Sequence, residues 1–263
     1  MEGKTLSLSM YIDTHAHIYL EQFDEDLSDV LTRAKEGDVG RIYMPNIDSQ
    51  SIESMLKVAE DYDFCIPMMG LHPCSVNSSY KEELALVEEW FEKRDFVAVG
   101  EIGTDLYWDK TYKDEQVEAF QIQSELAIRK GVPIVIHCRE SLDLTIDLVA
   151  EINDSRLNGI FHCFNGSVEQ GERIIDLGFA LGIGGVSTFK NGGMDKVLPH
   201  LPLENMVLET DSPYLTPAPH RGRRNEPGYI PLIAERLAFL KELELSEVET
   251  MTTNNALNLF GDG

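Results

Sequence analysis

Short apolar runs recur along this chain at near-regular spacing, and each is followed by a polar turn and then an amphipathic stretch. The runs rich in Val, Ile and Phe predict strands at Met10–Thr14, Arg41–Pro45, Phe64–Met69, Phe96–Gly100, Val132–Ile136, Gly159–Phe161, Phe179–Ile183 and Met206–Leu208. Between them the spacing predicts helices at Asp24–Lys35, Ser51–Asp61, Lys81–Lys93, Gln116–Arg129, Ser141–Asn153, Glu169–Leu177 and Gly193–Leu198, with Tyr229–Lys241 and Glu247–Leu259 after the last strand. Strand and helix alternate, and several strands are apolar on both faces, which argues a parallel sheet covered by helices. Eight such units match a TIM (β/α)8 barrel, whose usual length is about 250 residues. The alternative is an open doubly wound sheet, but the first strand-to-helix turn carries His-Ala-His where that fold carries a Gly-x-Gly-x-x-Gly fingerprint. No Pro/Gly/Ser linker or change of composition interrupts the pattern, so residues 10–263 are expected to form a single barrel domain, with Met10 as the natural start and residues 1–9 as an extension.

Composition narrows the class. Of 263 residues, 43% are apolar and 26% charged, the balance of a soluble globular chain. No apolar run reaches the ~18 residues that a spanning helix needs, and Met1-Glu2-Gly3-Lys4 does not open a secretory signal, so no membrane association is expected. Four cysteines, Cys65, Cys74, Cys138 and Cys163, show no Cys-x-x-Cys pairing, which suits a reducing cytoplasm. A formal net charge of -24 excludes a broad basic face for nucleic acid, because nonspecific affinity rests on Lys and Arg neutralising phosphates. Any polyanion must therefore be met by a local site. Nothing in the sequence calls for an obligate protein partner.

The candidate chemistry lies where the strands end. Asp13-Thr14-His15-Ala16-His17 follows the first apolar run and Glu209-Thr210-Asp211 follows the last, each with ligand-type side chains two residues apart. Positions i and i+2 of a strand share a face, and the first and last strands of a closed barrel are neighbours, so the two clusters are expected to meet at one rim. Glu101, His137 and His162 end the fourth, fifth and sixth runs. Taken singly, each reads as an ordinary hydrogen-bonded rim residue. Together with His15, His17 and Asp211 they place six potential ligands at the carboxyl ends of five strands, the face that carries TIM-barrel active sites. Four His and two carboxylates suit Zn²⁺, Mn²⁺ or Fe²⁺ better than Mg²⁺. Two adjacent ions bridged by Glu101 would use all six. Cys138 and Cys163, each following a candidate His, are expected by alternation to point away from that face.

Seven segments also carry a resemblance. Asp13-Thr-His-Ala-His17, Gly70-Leu-His-Pro73, Gly100-Glu-Ile-Gly103, Ile136-His-Cys-Arg-Glu140, His162-Cys-Phe-Asn-Gly166, Glu209-Thr-Asp-Ser-Pro-Tyr-Leu215 and His220-Arg-Gly-Arg-Arg-Asn-Glu-Pro227 resemble, in order, the motifs of TatD-family metal-dependent deoxyribonucleases. The resemblance runs over nearly the whole chain from Met10. It implies a barrel of the metal-dependent hydrolase type with up to two divalent ions, Zn, Mg or Mn, the first on His15, His17, Glu101 and Asp211 and the second on Glu101, His137 and His162. It implies further that Glu209 is a catalytic carboxylate beside the ions, and that His72 contacts a phosphate or transfers a proton. Thr104, Asn165 and Arg223 depart from the family pattern and put loop contacts in question, but touch no proposed ligand.

On this reading the protein is a metal-dependent phosphodiesterase, a DNase trimming single-stranded ends as an exonuclease, with Asp211 accepting a proton from the attacking water and His72 serving the leaving oxygen. A barrel hydrolase of a small phosphoester, lactone or amide is the alternative, since fold and metals do not choose the bond. Arg139 is read as a substrate-phosphate contact or a rim salt bridge, and Arg223 with its neighbours Gly222 and Arg224 as a backbone contact or internal pairing with Glu226 and other loop acids. Tyr107 and Trp108 either stack an unpaired base or pack their own loop.

Overall fold

Eight short parallel strands, most of their residues buried, form the centre of the fold: β1 (Tyr11–Asp13), β2 (Val39–Pro45), β3 (Cys65–Met68), β4 (Val99–Asp105), β5 (Ile134–Arg139), β6 (Gly159–Phe161), β7 (Phe179–Ile183) and β8 (Met206–Leu208). The computed structural model describes residues 10–261; the expected extension at residues 1–9 lies outside the described residues. The helices are α1 (Leu27–Glu36), α2 (Ile52–Asp61), α3 (Tyr80–Lys93), α4 (Lys113–Lys130), α5 (Leu142–Ile152), α6 (Val168–Asp176), α7 (Ile230–Lys241) and α8 (Leu245–Phe260). Among the described residues no helix is long and apolar enough to cross a membrane.

The strands make two arcs, β1-β2-β3 and β4-β5-β6-β7-β8, all parallel. Backbone hydrogen bonds join the arcs at both seams and complete the α/β barrel. On one side the Met69 N–H donates to Ala98 and the Gly100 N–H to Met69. On the other the Thr14 N–H donates to Leu208, Asp211 to His15 and His17 to Ser212. The first and last strands are thus neighbours, as the sequence led us to expect.

Two apolar layers follow from the strand period. Ile12, Tyr43, Met68, Ala98, Val135, Ile160 and Val207 meet one another inside the barrel, and Ala256 and Phe260 of α8 join them, Phe260 stacking on Tyr43 at 4.2 Å between ring centres. Their neighbours along the strands, such as Ile42, Ile134, Ile136, Leu181 and Leu208, pack outward with the helices. Local signals set the helix ends. Ser167 and Gln170 close a reciprocal capping box on α6. Gly131 ends α4 at φ 69, a left-handed conformation that glycine takes without a Cβ penalty, and Pro133 follows.

Two expectations give way. The Gly193–Leu198 helix is instead a pair of 3-10 turns, Met194–Lys196 and Leu198–His200: Gly192 and Gly193 disfavour a helical start, and Pro199 has no N–H to continue one. The fourth strand starts three residues later than expected and runs on to Asp105, its pairing with β5 continuing past an irregularity between Gly100 and Ile102. Glu101 is the extra residue of that irregularity and lies inside the strand.

Candidate metal centre

The interior rows change chemistry toward the carboxyl end of the barrel. Val135, Ile160 and Val207 belong to the inner apolar layer; two residues on, His137 lies further along β5, and His162 and Glu209 lie one residue past β6 and β8, where their N–H groups still donate to Ile136 and Ile183 of the adjacent strands. Glu101 enters the same space through the irregularity in β4. His15 and His17 lie just beyond β1, held by the seam to β8. Asp13 fixes that seam, since one carboxylate oxygen accepts the Thr210 and His15 N–H groups at 2.9 and 3.2 Å and the other the Thr210 hydroxyl at 2.5 Å. Asp211 follows at φ 55, turned out of strand geometry.

Glu101 is the hub. Its Oε2 lies 3.1 Å from His15 Nε2 and 3.3 Å from His17 Nε2, while its Oε1 lies 2.8 Å from His137 Nδ1 and 2.9 Å from His162 Nε2. Asp211 Oδ1 completes the first group at 3.8 Å from His15 and 3.7 Å from His17. His15 and His17 present their Nε2 atoms to each other at 3.1 Å. The six sequence-derived residues are therefore brought together, with one carboxylate shared between two halves.

This donor set fits a cation. His15 Nε2, His17 Nε2 and Glu101 Oε2 converge on one point, and a single proton among them cannot satisfy three atoms that each offer a lone pair. A four-coordinate ion with bonds of about 2.0–2.2 Å holds its ligands roughly 3.3–3.6 Å apart, close to the separations seen in the first group. The second half is arranged differently from a simple ligand trio. His72 also approaches Glu101 Oε1, at 3.4 Å, but its Nδ1 accepts the Cys74 N–H at 3.0 Å. That bond leaves the ring proton on Nε2, so neutral His72 faces the centre as a donor and not as a metal-binding lone pair.

The histidines are oriented from behind. His17 Nδ1 meets the Tyr19 hydroxyl at 2.9 Å, and that hydroxyl donates to the Pro45 carbonyl. His137 Nε2 is 2.9 Å from Asp105 Oδ2, and His162 Nδ1 is 3.5 Å from Glu209 Oε1. Such outer partners set ring orientation and ligand basicity. Glu209 is fully buried, accepts the Cys163 N–H at 2.5 Å, and rests where a side chain on Gly182 would be, its Oε2 2.2 Å from an ideal Cβ there. Glu209 Oε2 and the Nδ1 atoms of His15 and His162 have no protein hydrogen-bond partner. Glu209 and Asp211 thus do not aim at one point: Asp211 joins His15 and His17, and Glu209 stands behind His162.

The fields inside the cluster divide it: Glu101 and His15 are held in ligand-ready states, whereas His162 retains a proton that an ion would have to displace. Burial pushes the Glu101 carboxyl up, but His162, His15 and His72 outweigh it and hold it well below its usual range. Burial, reinforced by His162, drives His15 well below the ordinary imidazole value and keeps it neutral. Burial also lowers His162, but Glu101 and Glu209 reverse this and raise it well above. Burial lifts Asp211 to about 6, against the pull of His162 and His17. Asp211 is also the more open carboxylate, its side chain 13% exposed against 2% for Glu101.

Other expected residues fall out variously. The Arg139 guanidinium lies on aromatic rings, 3.9 Å from the Tyr107 centre and 5.1 Å from that of Trp108, and takes part in no salt bridge among the described residues. The basic loop after β8 is largely paired internally, although not in the expected arrangement: Arg224 pairs with Asp26, and Glu226 with Arg33 of α1. Arg223 stays exposed and is not brought to the histidine cluster. Cys138 packs with the outer layer as alternation requires. Cys163, at φ 49, does not keep alternation, and its thiol lies in the field of Asp211 and Glu209. Asp105 is absent from the sequence reading. Running the fourth strand past its irregularity would have exposed it, since Gly103 pairs with His137 and Asp105 follows two residues later.

Comparison with known proteins agrees with this geometry. The family model described as TatD related DNase matches residues 12–261. A Bacillus subtilis protein named as an uncharacterized metal-dependent hydrolase, YabD, is 40% identical over 252 residues, covering 95% of this chain and 99% of the relative. The Salmonella typhimurium 3'-5' ssDNA/RNA exonuclease TatD is 32% identical, with 94% and 98% covered. Among solved structures, the Escherichia coli TatD homolog YjjV superposes with a TM-score of 0.91 at 30% identity, over 96% of this chain and 98% of that one.

Proposed function

The chain belongs to the TatD-related DNase family of metal-dependent hydrolases, and on that premise we propose that it hydrolyses phosphodiester bonds in DNA, removing nucleotides from single-stranded ends. The observation that carries the metal chemistry is the division of Glu101, one carboxylate oxygen facing His15 and His17 and the other facing His137 and His162. We assign one divalent ion to His15, His17, Glu101 and Asp211, and a second to Glu101, His137 and His162. Nucleic acid as substrate is supported by the Salmonella relative named as an exonuclease on single-stranded DNA and RNA. Residues 10–263 are taken as one hydrolase domain, and the four free cysteines support a cytoplasmic setting.

When bound, the ions supply Lewis acidity at a phosphoryl oxygen and bring the pKa of water toward neutrality. The protein's own groups do the rest. Asp211, the more open carboxylate, orients the attacking water and takes its proton. His72 donates through Nε2 to the substrate phosphate or leaving oxygen, the tautomer being set by the Cys74 N–H. Asp105 holds His137 in register by a hydrogen bond, and Glu209 stands behind His162 as a nearby charge. The deciding assay uses metal-stripped protein restored with Zn²⁺, Mn²⁺ or Mg²⁺ and given end-labelled single-stranded DNA, duplex DNA and RNA beside bis(p-nitrophenyl) phosphate. Stepwise metal-dependent release of nucleotides from single strands is expected. Turnover of the small ester alone would instead establish the small-substrate alternative, which the net charge of -24 favours.

A further inference from the structure

On one side of the metal centre, β5 and the loop after β4 build a second constellation. Asp105 uses both carboxylate oxygens: Oδ2 faces His137 Nε2 at 2.9 Å, and Oδ1 accepts the N–H groups of Tyr107 and Trp108 at 2.9 and 3.2 Å. Gln116 of α4 clamps the Asp105 backbone from behind, accepting its N–H at 2.8 Å and donating to its carbonyl at 3.2 Å. The Leu106 N–H donates to Arg139, two residues beyond His137 on β5. Arg139 is exposed and sits over Tyr107, and Tyr107 and Trp108 meet edge to face at 4.9 Å. Trp108 is 69% exposed and Tyr107 52%, beside a centre in which Glu101 and His15 are sealed from solvent.

A largely exposed indole and a guanidinium without a carboxylate partner among the described residues together match what an unpaired nucleotide presents, a π-face and a phosphate. A duplex keeps its bases stacked and denies the first of these. Building the pair rigidly also lowers the cost of ordering it on binding. Resting on the phosphodiesterase reading above, we propose that Arg139, Tyr107 and Trp108 form a subsite for an unpaired nucleotide adjoining the scissile phosphate, with the base on Trp108, the phosphate on Arg139, and Asp105 tying the subsite to His137. Tyr107 serves as the platform that holds Arg139. The subsite selects single strands in a protein whose overall charge repels DNA, because its one guanidinium acts at contact distance, where the diffuse field counts least.

The chain has two tryptophans, Trp90 and Trp108, so Trp90→Phe leaves Trp108 as the sole reporter. In zinc-loaded Trp90→Phe protein also carrying Asp211→Asn to prevent turnover, a single-stranded oligothymidylate should quench tryptophan fluorescence, and an abasic oligomer of equal length should quench far less. In otherwise wild-type protein, Trp108→Ala should lower kcat/KM on the oligonucleotide about 10-fold or more relative to its effect on bis(p-nitrophenyl) phosphate. Arg139→Gln should weaken oligonucleotide binding and reduce the salt slope by about one ion's contribution. Equal quenching by both oligomers, or an unchanged ratio of the two substrates in Trp108→Ala, would overturn the subsite and leave the phosphodiesterase assignment standing. Failure of the wild type to cleave any phosphodiester would remove that assignment instead, and the quenching contrast would still decide the subsite.

Discussion

The two ends of the barrel interior are built on the same strands and obey opposite rules. At the amino end, Ile12, Tyr43, Val135, Ile160 and Val207 close around Phe260, and the requirement is volume. Two residues further on, His137, His162 and Glu209 continue those rows, and the requirement is charge balance. An apolar layer tolerates changes that keep its volume and loses stability through cavities. A buried set of donors around Glu101 is held by geometry, and the protein carries it at a cost in desolvation. Period-two alternation thus brings a layer of candidate ligands and a structural plug into register without a separate element for either.

The sharpest way to test this division is to damage each end and read both activity and stability. At the carboxyl end, Asp211→Asn should lower turnover by roughly 10³- to 10⁴-fold, the upper range for losing a general base that is also a ligand, with a melting temperature within a few degrees of wild type. Steady-state kinetics beside calorimetry would show it, and retained activity would remove Asp211 from the mechanism. At the amino end, Phe260→Ala should cost about 3 kcal/mol, read by urea unfolding, with the turnover of the folded fraction preserved. If Phe260→Ala abolished turnover in fully folded protein, the two ends would not be separable. Between them stands Asp105→Asn, which weakens the hold on His137; a 10- to 100-fold loss in metal affinity or activity is expected, with metal titration as the check.

The smallest effect lies on the rim, where hydrogen bonding from Arg224 holds the Asp26 carboxyl below its usual range. Because the folded value is the lower one, the ion pair's stabilisation is present above the unfolded pKa of about 3.9 and fades as pH falls through the folded value. Wild type should therefore exceed Asp26→Asn in stability at neutral pH by less than about 1 kcal/mol, as exposed pairs do, and the two should converge in acid. A difference that persisted below the carboxylate range would assign the effect to something other than charge.

Much of this was readable before the fold was known, for a physical reason. Gly159–Phe161, Phe179–Ile183 and Met206–Leu208 were placed to the residue because buried parallel strands are short apolar runs cut sharply by polar turns. The gathering of His15, His17, Glu101, His137, His162 and Asp211 followed from alternation and closure. What stayed hidden depends on departures from regular geometry. The irregularity at Glu101 masks the continuation of β4 and so concealed Asp105. The different paths of Glu209 and Asp211 come from a backbone turn at φ 55, which no spacing rule announces. The proton on His72 depends on a hydrogen bond from Cys74, and the seat of Arg139 on Tyr107 depends on the course of one loop.

The clasp between Asp13 and Thr210 gives the centre a place in time. These residues are 197 positions apart, and their hydrogen bonds set His15 and Asp211 side by side. Contacts of such long range are costly in chain entropy and form late. A ribosome releasing this chain from its amino end delivers His15 and His17 early and Asp211 only after β8, so the ligand set we propose for the first ion cannot be assembled on an incomplete chain. On that proposal the enzyme is silent through most of its own synthesis, and capture of the ion reports that the barrel has closed.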